Sequence, residues 1–180
     1  MSSSDDHDLA CRVQLGDRDA FAEIVRRHQR AVFAAAFRIL ADGPDAEDAA
    51  QDAFVRAYQS FDKFDASRPL APWLVRITVN VCLNRLESRK SSAALDDEVA
   101  WARDPSPGPE AQSIARSRTE RVRSELQGLP PRYRAVIELR HYLGLSYQEI
   151  AEALGQPLSA VKSDLFRARQ LLSERLRDLA

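Results

Sequence analysis

Residues 145–167 read LSYQEIAEALGQPLSAVKSDLFR. Ser146 is placed to cap a helix, with Glu149 three residues on at the capping-box position. Ile150, Ala151 and Leu154 then recur at helical spacing, and Ala151 is small where a second helix must cross closely. Gly155 follows where the chain has to turn and a positive φ is easiest. Pro157 forbids continuing the helix, and Ser159 reads as a fresh N-cap. The next helix, over 160–176, buries Val161, Leu165, Ala168 and Leu172 and turns Lys162, Ser163, Phe166, Arg167 and Gln170 outward. Helix, tight turn and helix in this register predict a helix-turn-helix. Its second helix carries what a groove reader needs. Lys162 and Arg167 supply charge, Ser163 a hydroxyl, and Phe166 an apolar contact for a thymine methyl or a sugar. The bland alternative is an αα-hairpin with a solvated basic face, which does not require all five of these signals in register.

Working upstream, helical pattern runs from near residue 113 through Ile114, Val122, Leu126 and Leu129. Pro130-Pro131 then start a helix that carries Tyr133, Val136, Ile137 and Leu139 to Leu143. Residues 91–112 differ in kind. They hold the acidic trio Asp96-Asp97-Glu98 and the run Pro105-Ser-Pro107-Gly-Pro109. Such a segment buries too little apolar surface to offset its ordering entropy, so it reads as a flexible acidic, Pro-rich linker. Trp101 is its one large apolar residue; it either packs loosely on a domain or anchors a partner.

The N-terminal part is also helical. Leu9 and Val13 mark a short helix broken near Gly16. Asp17 or Asp19 can cap a long one through Leu40, stopped at Gly43-Pro44. Asp45 reads as the next N-cap, ahead of Ala46, Ala49, Ala50, Ala53, Phe54, Ala57 and Tyr58. After a loop over 61–72, Pro72 suits the first turn of a helix that buries Trp73, Leu74, Ile77 and Val81 and reaches about Arg89. No stretch alternates as a strand does, so the expected class is all-α, with helical domains at 1–90 and 113–180 on either side of the linker.

Two features of the first domain carry chemistry. Asp45, Glu47, Asp48 and Asp52 crowd the first two turns of one helix, in a stretch from Asp42 to Asp52 without a basic residue. Three readings stay open: complementing the helix dipole, docking a basic partner, or a metal-binding pair at Asp48 and Asp52. The segment 61–90 couples Phe61, Phe64 and Trp73 to Arg76, Asn80, Asn84, Arg85, Arg89 and Lys90. Arg76, Asn80 and Asn84 share one stripe at four-residue spacing. Rings stack on unpaired bases and amides read base edges, so this composition suits single-stranded nucleic acid. The alternative is a core tryptophan beside a merely wet stripe.

Composition narrows the class. The chain has 180 residues, 26 Lys plus Arg against 27 Asp plus Glu, and 44% apolar residues. That is enough to build a core, and the near-neutral charge argues against tight, indiscriminate binding of nucleic acid by the free chain. Cys11 and Cys82 are far apart without a CxxC, and the three His are scattered, so neither a disulfide scaffold nor a zinc site is expected. No phosphate-cradling Gly loop or nucleophile–base pair occurs, so no enzyme activity is expected. The polar, acidic start and the lack of an 18-residue apolar run lead to the expectation of a cytoplasmic protein without membrane insertion.

In this order, the motifs resemble the extracytoplasmic-function (group IV) bacterial sigma factors of RNA polymerase. The resemblance rests on Gly16-Asp17-Arg18-Asp19-Ala20-Phe21, on 45–58, on Trp73-Leu74-Val-Arg76-Ile77 with Asn80, on 129–134, on 145–151, and on Val161-Lys162-Ser163 with Arg167-Ala168-Arg169. It implies a factor that binds core polymerase and directs promoter recognition, DNA melting and initiation, for a stress or envelope-signal regulon. It implies no cofactor. The implied partners are the polymerase β′ coiled coil and β flap, promoter DNA, and an anti-sigma factor, with a monomer when free. It tilts the acidic helix toward docking the polymerase through Asp45, Glu47, Asp48, Gln51 and Asp52. It places the −10 element on Phe64, Trp73, Arg76 and Asn80, and the −35 element on Lys162, Ser163, Phe166 and Arg167. The linker would thread the polymerase channel. Asp164 departs from the family's basic residue and is expected either to repel phosphates or to accept from a base amino group. Leu70 flanked by Pro69 and Pro72 is expected to stiffen the loop.

Overall fold

The computed structural model describes residues 3–93 and 114–177. The linker reading, including Trp101 and the trio Asp96-Asp97-Glu98, lies outside the described residues. Within them every regular element is helical. Helix α1 spans Ser3–Gln14, α2 Arg18–Leu40, α3 Gly43–Gln59 and α4 Leu70–Ala93, with a short 3-10 turn at Phe61–Lys63. In the second half α5 spans Ile114–Gln127, α6 Pro131–Ile137, α7 Tyr147–Leu154 and α8 Leu158–Arg175. A π-helical segment, Glu138–Tyr142, continues α6.

Local chemistry accounts for most boundaries. Asp17 caps α2 by accepting from the Ala20 N–H at 3.0 Å, while Arg12 donates to its other oxygen. The Ala20 bond first, and then Arg12, hold the Asp17 carboxyl below its ordinary value. A lowered carboxyl stabilises the fold above the ordinary carboxylate range, and this contribution fades as pH falls through the folded value. The cap of α3 is Asp42, which accepts from the Asp45 N–H; Asp45 itself lies in the first turn. The expectation for Asp45 is corrected because Pro44 fits the first turn, where a missing N–H leaves no helical bond unmade. Likewise α8 begins at Leu158 behind Pro157 without a side-chain cap, so Ser159 is inside the helix.

The first four helices pack as a bundle. On α3, Ala46, Ala49, Ala50, Ala53 and Ala57 are all buried, so α2 and α4 approach its backbone closely. Ile24, Val32, Ile39, Leu74 and Val79, each nearly inaccessible, share one buried cluster with these alanines. Burying each such side chain contributes roughly 1.5–3 kcal/mol. Cys82 belongs to this core, and burial pushes its thiol pKa up to about 12, which leaves it an unreactive small hydrophobe.

In the second half α6 and α7 pack on α8. Ser146 and Glu149 form the complete capping box, and Gly155 closes α7 at φ +62°. Arg134 is buried at the α5–α6 turn, where desolvation alone lowers its pKa to about 10 and its Nη1 donates to the Gln127 carbonyl at 3.0 Å. The two halves do not stand apart. Helix α6 also lies against α2 and α4, α7 touches α4, and most of the buried apolar side chains of both halves form one cluster, with Leu129, Ile137 and Ala168 in a second, smaller one.

Candidate nucleic-acid and polymerase interfaces

The recognition face of α8 is open. Lys162, Phe166 and Arg167 are exposed and Ser163 is half-buried. Phe166 is 68% exposed, a large apolar ring standing in water on a helix whose opposite side is core. Asp164 is not on that face. It is 1% exposed, and both its oxygens accept from Arg132, at 2.5 and 3.1 Å. The expectation that Asp164 meets phosphate or a base is therefore corrected: the residue points inward and ties α8 to the start of α6. Its hydrogen bonds and charge raise the Arg132 pKa against a smaller desolvation. Arg132→Ala should leave a buried carboxylate unpaired and lower the unfolding free energy by about 2 kcal/mol. This is less than for a fully buried pair, since the guanidinium reaches solvent. Urea unfolding followed by circular dichroism checks this.

The loop before α4 is built differently from the reading of its sequence. Phe64 is 4% exposed and packs against Phe61 and Trp73, at centroid distances of 5.6 and 4.8 Å. Its ring is not free to stack on a base in this conformation; the apolar cluster holds it in. Trp73 is half-buried and meets Phe61 edge-on at 5.4 Å. Gln14 of α1 fastens this turn by donating to the carbonyls of Phe61 and Phe64 at 3.3 and 2.7 Å, and His7 Nδ1 lies 2.9 Å from the Ala66 carbonyl. Neither contact was legible beforehand, since both cross about fifty residues of chain. Beyond Phe64, Asp65 accepts from the Ser67 N–H and hydroxyl at 3.0 and 2.6 Å, which stiffens the turn. A surface cavity of about 290 Å³ opens here, lined by the 66–71 segment with Asp6 and His7.

On α4, Arg76 is exposed and Asn80 is half-buried. Asn80 Nδ2 donates to the Ala153 carbonyl at 2.8 Å, at the end of α7. Arg85 and Arg89, grouped with that stripe in the sequence reading of 61–90, turn instead to α3. Arg89 makes a two-pronged contact with Asp45 at 2.5 and 2.6 Å; Arg85 donates to Asp52 at 2.5 Å and stands 4.0 Å from Asp48. The acidic helix is thus partly neutralised from within. Glu47, Asp48 and Gln51 remain exposed on it. Among the described residues no group of three or more His, Cys, Asp or Glu converges as a metal site, and no helix is long and apolar enough to cross a membrane.

Comparison with known proteins places these faces in a family context. Residues 24–92 match Sigma-70 region 2, and residues 119–172 match Sigma-70, region 4. The chain is 36% identical to the ECF RNA polymerase sigma factor SigW of Bacillus subtilis, over 93% of this chain and 95% of that protein. It is 33% identical to the ECF RNA polymerase sigma-E factor of Escherichia coli K12, over 97% of this chain and 95% of that one. Among solved structures it is similar to the sigma factor RpoE in complex with the anti-sigma factor NepR from Bartonella quintana. There the TM-score is 0.68 and the identity 25%, over 87% of this chain and 96% of the other.

Proposed function

The chain belongs to the extracytoplasmic-function sigma factors of RNA polymerase, and on that premise we propose how its surfaces divide the work. As a sigma factor it associates with core polymerase and promoter DNA and directs transcription initiation. It does so in the cytoplasm and by binding alone, without a catalytic step of its own.

The residues 1–90 form the module that docks polymerase and opens the −10 element. Glu47, Asp48 and Gln51 offer the polymerase an exposed, partly acidic helix face, with Asp45 and Asp52 held behind them by Arg89 and Arg85. Arg76 and Asn80 read the −10 strand. An extruded base enters the cavity bounded by 66–71, while Phe64 and Trp73 brace that loop from beneath. Capture of the extruded base offsets its lost stacking, which is how binding energy drives melting. The residues 113–180 form the module that reads the −35 element, through Lys162, Ser163, Phe166 and Arg167 in the major groove. The segment between them is the tether through the polymerase.

The observation that carries this reading is the exposed face of α8: two cations and a bare aromatic ring on a helix whose other side buries Val161, Leu165 and Ala168. The melting half is tested by run-off transcription with bacterial core polymerase, on a duplex promoter and on the same promoter pre-melted over the −10 element. Asn80→Ala is expected to lower initiation about 5- to 150-fold on the duplex, one lost amide contact being worth roughly 1–3 kcal/mol. Pre-melting should restore most of it. Equal activity of variant and parent on the duplex would remove Asn80 from the melting step.

A further inference from the structure

Helix α1 is tied at three carbonyls to the segment that leads into α4. Gln14 Nε2 donates to those of Phe61 and Phe64 at 3.3 and 2.7 Å. Two turns earlier, His7 Nδ1 lies 2.9 Å from the Ala66 carbonyl. A carbonyl oxygen only accepts, so Nδ1 carries the proton. The other ring nitrogen, Nε2, stands 3.7 Å from Cys11 Sγ. Both nitrogens of the imidazole are thus engaged, and the first turn of α1 is set against the 66–71 loop as one wall of its cavity.

The same turn brings Asp6 into that wall. Its side chain is 25% exposed. Oδ2 lies 3.1 Å from His28 Nε2 on α2, and Oδ1 is 3.7 Å from Arg27 Nη1, a charge contact too long for a hydrogen bond. Oδ1 therefore keeps its accepting capacity, beside a cavity of about 290 Å³.

We propose that Asp6 is a specificity-determining residue of the −10 reader: its Oδ1 accepts from the exocyclic amino group of the extruded base, so the cavity takes cytosine in preference to thymine. His7 is the positioning residue that holds the loop against α1 while this bond is made. The proposal rests on the reading of the 66–71 cavity as the receiver of that base. A flipped base is read by hydrogen bonds to its edge. Cytosine sets its N4 amino donor toward an acidic side chain, whereas thymine, a ring of the same size, sets the O4 acceptor there. Two acceptors then face each other, and neither is satisfied once water is displaced. The lining side chains do little to relieve this. Ser67 spends its hydroxyl proton on Asp65 at 2.6 Å, and His7 spends its N–H on Ala66, so neither offers a donor to a thymine carbonyl. Arg27 behind Asp6 offsets its charge, and the His28 contact fixes the plane of the carboxyl group, so the acceptor is oriented before the base arrives.

The test uses the full chain in its complex with bacterial core polymerase, in run-off transcription from a promoter selected by that holoenzyme. Scanning 2-aminopurine through the −10 element locates the extruded position by its fluorescence. Templates then carry cytosine, thymine or no base at that position. The parent is expected to initiate about tenfold better on cytosine than on thymine, within the discrimination that one good side chain–base pairing supplies. D6A should bring this ratio below about twofold, one accepted bond being lost with the side chain. H7A should lower it about threefold, the worth of one neutral hydrogen bond, and H7N, whose amide can donate to the Ala66 carbonyl in place of Nδ1, should restore it. Each result is a ratio within one protein, so any loss of folded chain cancels. A parent without preference for cytosine, or a D6A variant with the parent's ratio, would overturn the role of Asp6. An unchanged ratio in H7A would overturn the positioning role of His7. The template without a base tests the underlying reading separately. A parent indifferent to base removal throughout the −10 element would sink the receiving cavity itself. A parent that needs the base, with D6A discriminating as the parent does, would sink only the inference about Asp6.

Discussion

Replacing Glu47 and Asp48 together by Lys is expected to weaken association with core RNA polymerase by at least about a hundredfold, while leaving helix content and thermal unfolding nearly unchanged. Both side chains are exposed in the first half of α3, and the contact of Asp48 with Arg85 of α4 is only a long one at 4.0 Å. Asp45 and Asp52 differ, since each is engaged by an arginine of α4. Changing those would release Arg89 or Arg85 and confuse a lost contact with a new cation. Reversal at Glu47 and Asp48 instead sets like charges against a basic partner surface. A juxtaposition of that kind costs several kcal/mol, and about 3 kcal/mol corresponds to the hundredfold loss. Fluorescence anisotropy of labelled chain titrated with core polymerase measures it directly. Parent-like affinity would remove α3 from the docking surface.

Replacing Lys162 and Arg167 by Ala is expected to reduce initiation at −35-dependent promoters about 30- to 100-fold. Both side chains are exposed on the open side of α8, five residues apart, with Phe166 between their positions. A base-reading contact is worth roughly 1–3 kcal/mol, and a lost phosphate contact lowers the salt slope of binding by about one. The two variants made singly therefore separate the roles. The one whose loss relaxes sequence choice reads a base, and the one that weakens all sequences alike holds a phosphate. Phe166→Ala should lower −35 selectivity without altering stability, because its ring is already in water. Core polymerase affinity should be retained in all three. Undiminished transcription from −35-dependent promoters would defeat the assignment.

What the sequence made legible was local. The capping box at Ser146 and Glu149, the turn at Gly155 and the cap at Asp17 each depend on groups within a few residues of one another, and the structure has all three. Apolar periodicity likewise located α2, α3, α4 and α8, because spacing along a helix fixes which side chains share a face. Misplaced caps came from ambiguity within a turn: Asp42 and Asp45 both suit a helix start, and Pro44 between them decided for the first. Long-range pairing was not legible. Nothing in the composition of 61–90 says that Arg85 and Arg89 turn to α3 or that Phe64 is drawn beneath Trp73, and nothing in 145–167 says that Asp164 finds Arg132. Each of these joins residues at least nine positions apart, and most join different helices. The ion pair of Arg38 in α2 with the buried Glu138, a hundred residues on, is the extreme case, since a glutamate near the end of one helical run looks like any surface acid.

Promoter choice arises only when polymerase holds the two modules apart along DNA. The chain as a whole balances 26 basic against 27 acidic side chains, and tethering on a common scaffold raises the effective concentration of the second module once the first engages. The most direct measurement is the affinity for a holoenzyme-selected promoter duplex and for a scrambled duplex of equal length, first with the free chain and then with its complex with core polymerase, at one physiological salt concentration. The complex should prefer the promoter by at least about a thousandfold, the discrimination usual for specific DNA binding, and the free chain should bind both duplexes weakly and alike. A free chain that selects the promoter duplex tightly, with no gain on adding polymerase, would contradict it.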